Sequence, residues 1–241
     1  PEWPPTMAII TAARGVAVPV PLHEELGWRW NIDEVERAIT PKTKALYINS
    51  PNNPTGWTIE RDEQQAILAH CRRHGIWIVA DDAYERLYYG GDATQAAPSF
   101  LDLSEPDERV VSTNTFSKSW LMTGWRLGWI VAPSALLPDL GKLIEYNTSC
   151  SPVFVQRAGV AAVRDGEATV GATRERLRHA RDRLLRALRA LPGVEAGSPQ
   201  GAMYAFFRVA GAQDSMRFCR DLVQHAQLGL APGSAFGPEG E

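Results

Sequence analysis

Short runs of consecutive apolar residues, each bounded by turn-forming residues, recur along the first half of the chain. Continuous apolar runs without polar alternation are typical of strands buried in a mainly parallel sheet. Segments with helical periodicity and capping residues lie between these runs. The pattern predicts strands at 16–20, 44–49, 76–80, 110–111 and 130–131, and helices at 31–39 and 60–73. This alternation predicts an α/β fold whose mainly parallel, mixed sheet is covered on both faces.

The second half of the chain begins with a long Arg-rich segment, 168–190, whose periodicity predicts a helix with a solvated charged face. Its apolar stripe consists of Leu177, Leu184, Leu185 and Leu188. Beyond it the pattern predicts a strand at 202–209, a helix at 214–225 and a strand at 228–231. We therefore expect a large α/β domain at 1–165, followed at 166–241 by a connecting helix and part of a small α+β domain.

The composition and charge of the chain disfavour several classes of protein function. Of the 241 residues, 44% are apolar and 22% are charged, so the chain can bury a sizeable core. A formal net charge of −3 and an isoelectric point near 6.0 disfavour general binding to nucleic acids or to anionic membranes. No apolar run approaches the roughly 20 residues of a membrane span. Cys71, Cys150 and Cys219 are widely spaced and lack zinc-site spacing, which indicates reduced thiols in a cytosolic protein.

One lysine stands apart from the others. The chain has four lysines, and only Lys118 lies among small, hydroxyl-bearing and apolar residues. Thr115 and Ser117 precede it, and Arg126 follows within Gly124-Trp125-Arg126-Leu127-Gly128. An amine with few charged neighbours is suited to Schiff-base chemistry. An arginine between apolar residues requires an anionic partner, and a phosphate fits its planar guanidinium group well.

This segment resembles the lysine loop of the fold-type I aminotransferases of class I/II, which depend on pyridoxal 5'-phosphate (PLP). The family pattern is a hydroxyl residue, two variable residues, the lysine and then Gly-Trp-Arg-x-Gly. The resemblance implies that Lys118 forms the internal aldimine with PLP and that Thr115 and Arg126 contact its phosphate. Ser117 fits either the same role or that of an ordinary loop serine. The resemblance further implies a seven-stranded type of sheet and a homodimer that moves an amino group between an amino acid and a 2-oxo acid.

A second motif follows the predicted strand 44–49. The prolines and the glycine of Asn49-Ser50-Pro51-Asn52-Asn53-Pro54-Thr55-Gly56 predict a rigid turn at the sheet edge. This segment is similar to the Asn-Pro-Thr-Gly motif of the same family. The resemblance implies that Asn53 donates a hydrogen bond to the phenolic oxygen of the cofactor and borders the substrate carboxylate.

A third motif ends the predicted strand 76–80. Asp81 follows an apolar run, and a carboxylate in that position requires a charged or hydrogen-bonding partner. In the family pattern Asp-x-x-Tyr, Asp81 pairs with the pyridine nitrogen of PLP and Tyr84 binds the phenolic oxygen. Asp82 is the competing acid, and the two-residue alternation of a strand places it on the opposite side from Asp81.

Near the start of the sequence, Trp3 matches the family's aromatic residue that stacks on the pyridine ring. The resemblance also implies three site components outside this sequence. They are a glycine- and serine-rich phosphate loop, a tyrosine from the neighbouring subunit, and a C-terminal arginine that binds the substrate carboxylate. We expect no metal at this site.

Two other functions stay open at this point. One is β-elimination at a C–S bond, catalysed by PLP on the same fold. The other is the PLP-sensing domain of a transcription regulator, which would require a DNA-binding module in an N-terminal part outside this sequence. Without such a module, the charge of the chain predicts no nucleic-acid partner.

Overall fold

The computed structural model describes residues 1–91 and 96–241. A four-stranded sheet forms its centre, with the strands in the order β1-β2-β3-β4. The strands are β1 (Ala45–Asn49), β2 (Trp77–Asp81), β3 (Val110–Thr115) and β4 (Gly128–Val131). The first three are parallel, and β4 is antiparallel to β3. The mixed, mainly parallel sheet predicted from the sequence is therefore present.

Seven α-helices and a small second sheet complete the described part of the chain. The helices are α1 (Pro5–Ala12), α2 (Ile32–Ala38), α3 (Arg61–His74), α4 (Leu137–Thr148), α5 (Val153–Asp165), α6 (Glu167–Arg189) and α7 (Ser215–Ala226). The second sheet pairs β5 (Val194–Ala196) with β6 (Phe207–Val209) in antiparallel fashion. The proposed division between 165 and 166 falls within the short connection from α5 to α6, and it stays a prediction.

Local capping explains why the predicted helices begin and end where they do. The side chain of Asn31 accepts a hydrogen bond from the Asp33 amide at the start of α2. A reciprocal capping box between Glu60 and Glu63 starts α3, and Gly75 ends it in the left-handed conformation. These contacts satisfy backbone groups that a helix end otherwise leaves unpaired.

The main hydrophobic core lies on one face of the four-stranded sheet. Ile48, Ile78, Ala80 and Val110 point to this face and are at most 4% exposed. They pack in one cluster with buried residues of α2 and α3, namely Val35, Ile67, Leu68 and Cys71. Full burial of each large aliphatic side chain contributes about 1.5–3 kcal/mol. This core fixes the register of the strands and therefore the positions of the residues at their ends.

The opposite face of the sheet is only half-buried. Tyr47, Val79, Asp81 and Thr113 alternate with the core residues, and each retains partial exposure. Among the described residues, this face is therefore less completely buried than the core face. Because β1 and β2 consist mostly of apolar residues, the difference in burial between their two faces was not visible in the sequence. The packing of the helices creates that difference.

Several predicted elements differ from the structure. Residues 16–20 and 228–231 form no strand, and the strand predicted at 202–209 is limited to Phe207–Val209. Apolar character alone does not make a strand, because a strand also needs a partner with free backbone groups, and Pro19 cannot donate to one. Of the stripe on α6, Leu185 is buried but Leu184 is 46% exposed.

All three cysteines are free. Cys71 and Cys219 are buried, and Cys150 is exposed. Within residues 1–91 and 96–241, no helix combines the length and the apolar character needed to cross a bilayer.

Candidate active site

The polar motifs meet at the carboxyl ends of the parallel strands. Asn49 at the end of β1 is paired with Asp81 at the end of β2, and Asp81 is paired with Thr113 of β3. Residues paired in register point to the same face of a sheet, so these side chains lie side by side on the half-buried face. In α/β sheets this edge is where ligands bind.

The loop that carries Asn53 is rigid because its polar groups bond to one another. The Asn53 amide donates to Asn49 Oδ1 at 2.7 Å, and Thr55 donates to Asn52 Oδ1 through both its amide and its hydroxyl. Gly56 has a φ of +70°, and a Cβ there would lie 2.3 Å from the Pro199 side chain, so only glycine fits. The loop therefore holds the Asn53 side chain in a fixed direction at the strand ends.

Tyr84 belongs to the Asp-x-x-Tyr motif and lies next to the loop that carries Asn53. Its hydroxyl lies 2.5 Å from the Tyr204 hydroxyl, and the two rings are edge-to-face with centroids 5.6 Å apart. The Asn53 side chain also lies near the Tyr84 phenol, where it acts to lower the pKa of that group. Burial, reinforced by the bond to Tyr204, raises the pKa of Tyr84 far above its usual value, so its hydroxyl remains a proton donor.

Lys118 lies in the turn directly after β3, half-buried. Its Nζ is 5.6 Å from the centroid of the Tyr84 ring. Within the described part of the chain, Nζ has neither a carboxylate partner nor a hydrogen bond. The predicted proximity of Lys118 to the Asp-x-x-Tyr motif is therefore observed, and the amine is free to react.

An aromatic cluster packs beside the turn that carries Lys118. Phe116 packs against Trp120 and Trp129 at centroid distances of 5.1 Å and 5.0 Å. The Trp120 Nε1 donates to the Ala162 carbonyl in α5 at 2.9 Å. Packing on both sides of Lys118 thus fixes the backbone from which its side chain extends.

The hydroxyl residues near Lys118 take part in the geometry of the turn. Ser117 donates its amide proton to Thr115 Oγ1 at 3.0 Å, and Thr115 Oγ1 donates to the Leu127 carbonyl at 3.4 Å. Ser117 is buried. Their contact with a phosphate stays a prediction.

Arg126 lies in a different setting from the one expected. It is exposed, it has a left-handed φ of 52°, and its guanidinium donates to the Thr123 carbonyl at 2.9 Å. The strand β4 begins two residues later at Gly128, so Arg126 ends a turn and does not start the strand. No carboxylate pairs with it among the described residues, and its phosphate role stays a prediction.

Asp81 and Asp82 point in opposite directions, as strand alternation predicts. Asp81 Oδ2 accepts a hydrogen bond of 2.6 Å from the Tyr47 hydroxyl, and Asp81 Oδ1 accepts one of 3.2 Å from the Ala83 amide. Asp82 is buried on the core side, where the Ser112 hydroxyl donates to it at 2.5 Å. Of the two acids, Asp81 is thus the one on the same face as the other motif residues.

Trp3 is 43% exposed, and its carbonyl accepts the Thr6 amide proton at 3.1 Å as α1 begins. The Thr6 side chain in turn lies near the Tyr47 phenol. The segment that carries Trp3 therefore lies beside the Asp81 end of the site, and stacking by Trp3 stays a prediction.

Two residues of the site were not found from the sequence. Tyr204 and Tyr47 each bond a predicted residue, but each comes from a distant segment that was interpreted only as a strand. Tyr204 is 120 positions from Tyr84, and Tyr47 is 34 positions from Asp81. No local motif pairs them, so only the strand register and the return of the chain after α6 bring them together.

The mixed sheet and an unpaired lysine at its carboxyl edge are typical of the PLP-dependent transferases. The sequence matches the model of the family "Aminotransferase class I and II" over residues 1–240, and the chain belongs to this family.

Individual relatives agree with this assignment. An aspartate aminotransferase of Musicola paradisiaca is 33% identical, with 99% of this chain and 60% of that protein aligned. "Aromatic-amino-acid aminotransferase 2" of Thermococcus litoralis is 35% identical, over 96% of this chain and 59% of that protein. The structure of the Thermus thermophilus aspartate aminotransferase with maleate superposes with a TM-score of 0.89 at 32% identity, covering 98% of this chain and 60% of that one. The chain thus spans about 60% of the length of these relatives.

The residues present fit PLP, the cofactor of this family. The described edge of the sheet offers a free amine on Lys118, a carboxylate on Asp81, and a phenol–amide pair on Tyr84 and Asn53. These groups match the aldehyde, the ring nitrogen and the phenolic oxygen of PLP in kind. Each still has bonding capacity beyond its contacts within the chain.

Two acids next to the candidate site, Asp82 and Glu85, predict that the free energy of unfolding depends on pH. Burial raises the pKa of Asp82 to about 6 and that of Glu85 to about 7, and the charge of Asp82 contributes to the shift of Glu85. Unfolded carboxyls release their protons at lower pH than these two do in the folded state. The contribution of these two carboxyls to the free energy of unfolding is therefore fully present below about pH 4. It is lost as pH rises through about 6–7.

The double variant Asp82→Asn/Glu85→Gln tests this dependence. We expect it to unfold at a higher temperature than the unmodified protein at pH 8, and the gain should shrink as pH falls toward 5. The expected difference is on the order of 2 kcal/mol for each carboxyl at the alkaline end. Thermal unfolding of both proteins from pH 5 to 8 measures it, and a gain independent of pH would contradict the buried-acid explanation.

Proposed function

We propose that the protein containing this chain is a PLP-dependent aminotransferase that transfers an amino group from an amino acid to a 2-oxo acid. The observation that carries the proposal is the free Lys118 amine, 5.6 Å from the Tyr84 ring and at the same sheet edge as the Asp81 carboxylate. Membership of the aminotransferase family supports it.

Each residue of the site has a distinct task in this proposal. When bound, PLP supplies an electron sink that stabilises negative charge at the substrate α-carbon. Lys118 Nζ would hold the cofactor, and the same amine would act as base toward the proton on the substrate α-carbon and as acid toward the neighbouring carbon of the cofactor. Asp81 holds the proton on the pyridine nitrogen through an ion pair. Tyr84 and Asn53 donate to the phenolic oxygen, and Asn53 also borders the substrate carboxylate.

The remaining predicted residues hold the cofactor in place. Thr115 ends β3 and Ser117 lies in the turn that carries Lys118, where their hydroxyls can face a phosphate. Arg126 has no carboxylate partner among the described residues, which leaves its guanidinium free for that anion. Trp3 exposes an aromatic ring near the Asp81 end of the site, where it can cover the pyridine ring.

We further propose a homodimer in the cytosol. Helices α4 and α5 expose several large apolar side chains in this chain, namely Leu143, Ile144, Tyr146, Phe154, Val160 and Val163. Such a patch is typical of a surface covered by further protein. The three free thiols support a reducing compartment.

The two other functions are less well supported. The relatives described above are named as aminotransferases, which favours transamination over C–S elimination and over a regulatory role.

A half-reaction tests the function. Full-length protein reconstituted with PLP is mixed with one amino acid at a time, without a 2-oxo acid. We expect the absorbance of bound PLP to shift to that of the aminated cofactor, with one equivalent of the matching 2-oxo acid per site. A panel of acidic, aromatic and basic amino acids identifies the substrate class. Release of pyruvate and ammonia from cysteine-type substrates, without aminated cofactor, would instead assign a lyase.

A further inference from the structure

Tyr47 makes the shortest contact to the Asp81 side chain. The hydroxyl donates to Asp81 Oδ2 at 2.6 Å, from the neighbouring strand β1. Tyr47 lies two residues before Asn49, whose register partner is Asp81, so both side chains occupy the same half-buried face. The bond therefore follows from the sheet register and does not depend on a mobile loop.

The contact has the properties of a directed hydrogen bond and not of incidental packing. Burial raises the pKa of Tyr47 far above its usual value, with the charge of Asp81 as the second cause, so the phenol remains protonated and continues to donate. The Thr6 hydroxyl on α1 lies near the same phenol and acts to lower its pKa, against the larger effect of burial. The same hydroxyl donates to Glu2 Oε1 at 3.4 Å. A buried side chain of α1 is therefore a neighbour of the Tyr47 phenol.

Two donors then fix the plane of the Asp81 carboxylate. Tyr47 binds Oδ2, and the Ala83 amide binds Oδ1 at 3.2 Å. An ionised carboxylate can accept about four hydrogen bonds, so both oxygens retain capacity for a further donor.

We propose that Tyr47 is a positioning residue that aims the Asp81 carboxylate at the ring nitrogen of the bound pyridine cofactor. The inference rests on the proposed function and extends it to a residue outside the family motifs described above. Tyr47 itself does not touch the cofactor in this role and acts only through Asp81.

The test compares Tyr47→Phe with Tyr88→Phe in the full-length protein. Tyr88 is half-buried, like Tyr47, and has no place in the proposed site, so its substitution is a matched control for loss of one phenol hydroxyl. PLP is titrated into each apoprotein and Kd is measured from absorbance and from quenching of tryptophan fluorescence. We expect Kd to rise about tenfold for Tyr47→Phe, because a hydrogen bond to a charged group is lost, and to stay unchanged for Tyr88→Phe.

A double-mutant cycle shows whether Tyr47 acts through Asp81. In an Asp81→Asn background, Tyr47→Phe is expected to raise Kd by less than twofold, because the carboxylate it positions is absent. An equal tenfold loss in both backgrounds would overturn the inference, as would an unchanged Kd for Tyr47→Phe in the unmodified background. If Tyr47→Phe does not fold, Thr6→Val provides the same comparison through loss of the hydroxyl that neighbours the Tyr47 phenol, with a smaller expected rise.

This outcome is separable from failure of the proposed function. An unmodified protein that binds no PLP contradicts the proposed function. An unmodified protein that binds PLP with an affinity insensitive to Tyr47 contradicts only the positioning role.

Discussion

Replacing Lys118 with alanine in the full-length protein will abolish transamination. In the proposed function this side chain supplies the covalent attachment and also, among the residues that the structure describes at this edge, the only amine placed to move a proton at the substrate α-carbon. Loss of a positioned acid–base group alone costs about 10²–10⁴-fold in rate, and loss of the nucleophile adds to that. PLP should still bind through the other contacts, but its absorbance should match that of a free aldehyde and not that of a lysine adduct.

Lys142→Ala is the matched control for this experiment. Lys142 is exposed on α4 and pairs only with Asp139, at 3.4 Å. Steady-state rates and absorbance spectra of both variants should therefore diverge, with Lys142→Ala indistinguishable from the unmodified protein. Retention of more than a few per cent of the activity by Lys118→Ala would show that another group performs its task.

Replacing Asp81 with alanine is expected to produce the second-largest loss. In the proposed function this carboxylate would hold the ring nitrogen of the cofactor protonated, and without it the ring would withdraw electrons less effectively. Removing one member of a hydrogen-bonded charge pair costs about 2–5 kcal/mol, which corresponds to a rate loss of about 30- to 5,000-fold. The spectrum of the bound cofactor should also change, because the protonation state of its ring changes.

The variant Asp82→Asn shows whether the rate loss is specific to Asp81 or follows from the removal of any carboxylate at the end of β2. Asp82 is adjacent in sequence but lies on the core face, bonded to Ser112. We expect Asp82→Asn to keep near-normal kcat while Asp81→Ala loses it. Equal losses in the two variants would contradict the assignment of Asp81 as the partner of the ring nitrogen.

Elements with local signals were predictable from the sequence. The residues that cap α3, Glu60 and Gly75, act within one turn of the helix end, so they are visible without knowledge of the fold. The opposite directions of Asp81 and Asp82 follow from strand geometry alone. The family motifs then place Lys118 and Tyr84 at the same edge, and the structure agrees.

Elements without such signals were missed. Helices α4 and α5 are preceded by Leu136 and Pro152, neither of which makes a side-chain hydrogen bond that caps the helix. Their apolar residues also lie largely on the surface of this chain, so they do not form a clear buried stripe. Both conditions remove the features by which a helix is recognised in a sequence.

The supporting contacts of the site were not predictable, for a different reason. Tyr47 meets Asp81 because β1 and β2 pair in one particular register, and Tyr204 meets Tyr84 because the chain returns past it after α6. Such contacts depend on tertiary structure, and a motif within one segment contains no information about them. The residues gathered at this edge were thus predictable from the sequence, but the side chains that contact and orient them were not.

Reduction of the reconstituted full-length protein with borohydride, followed by peptide mass spectrometry, tests the central claim most directly. Reduction makes a Schiff base permanent, so the modified residue can be located by the added mass of the pyridoxyl group. We expect that mass on the peptide containing Lys118 and not on those containing Lys42, Lys44 or Lys142. A pyridoxyl group on any of these other lysines, or on none, would contradict the assignment of Lys118 and of the site built around it.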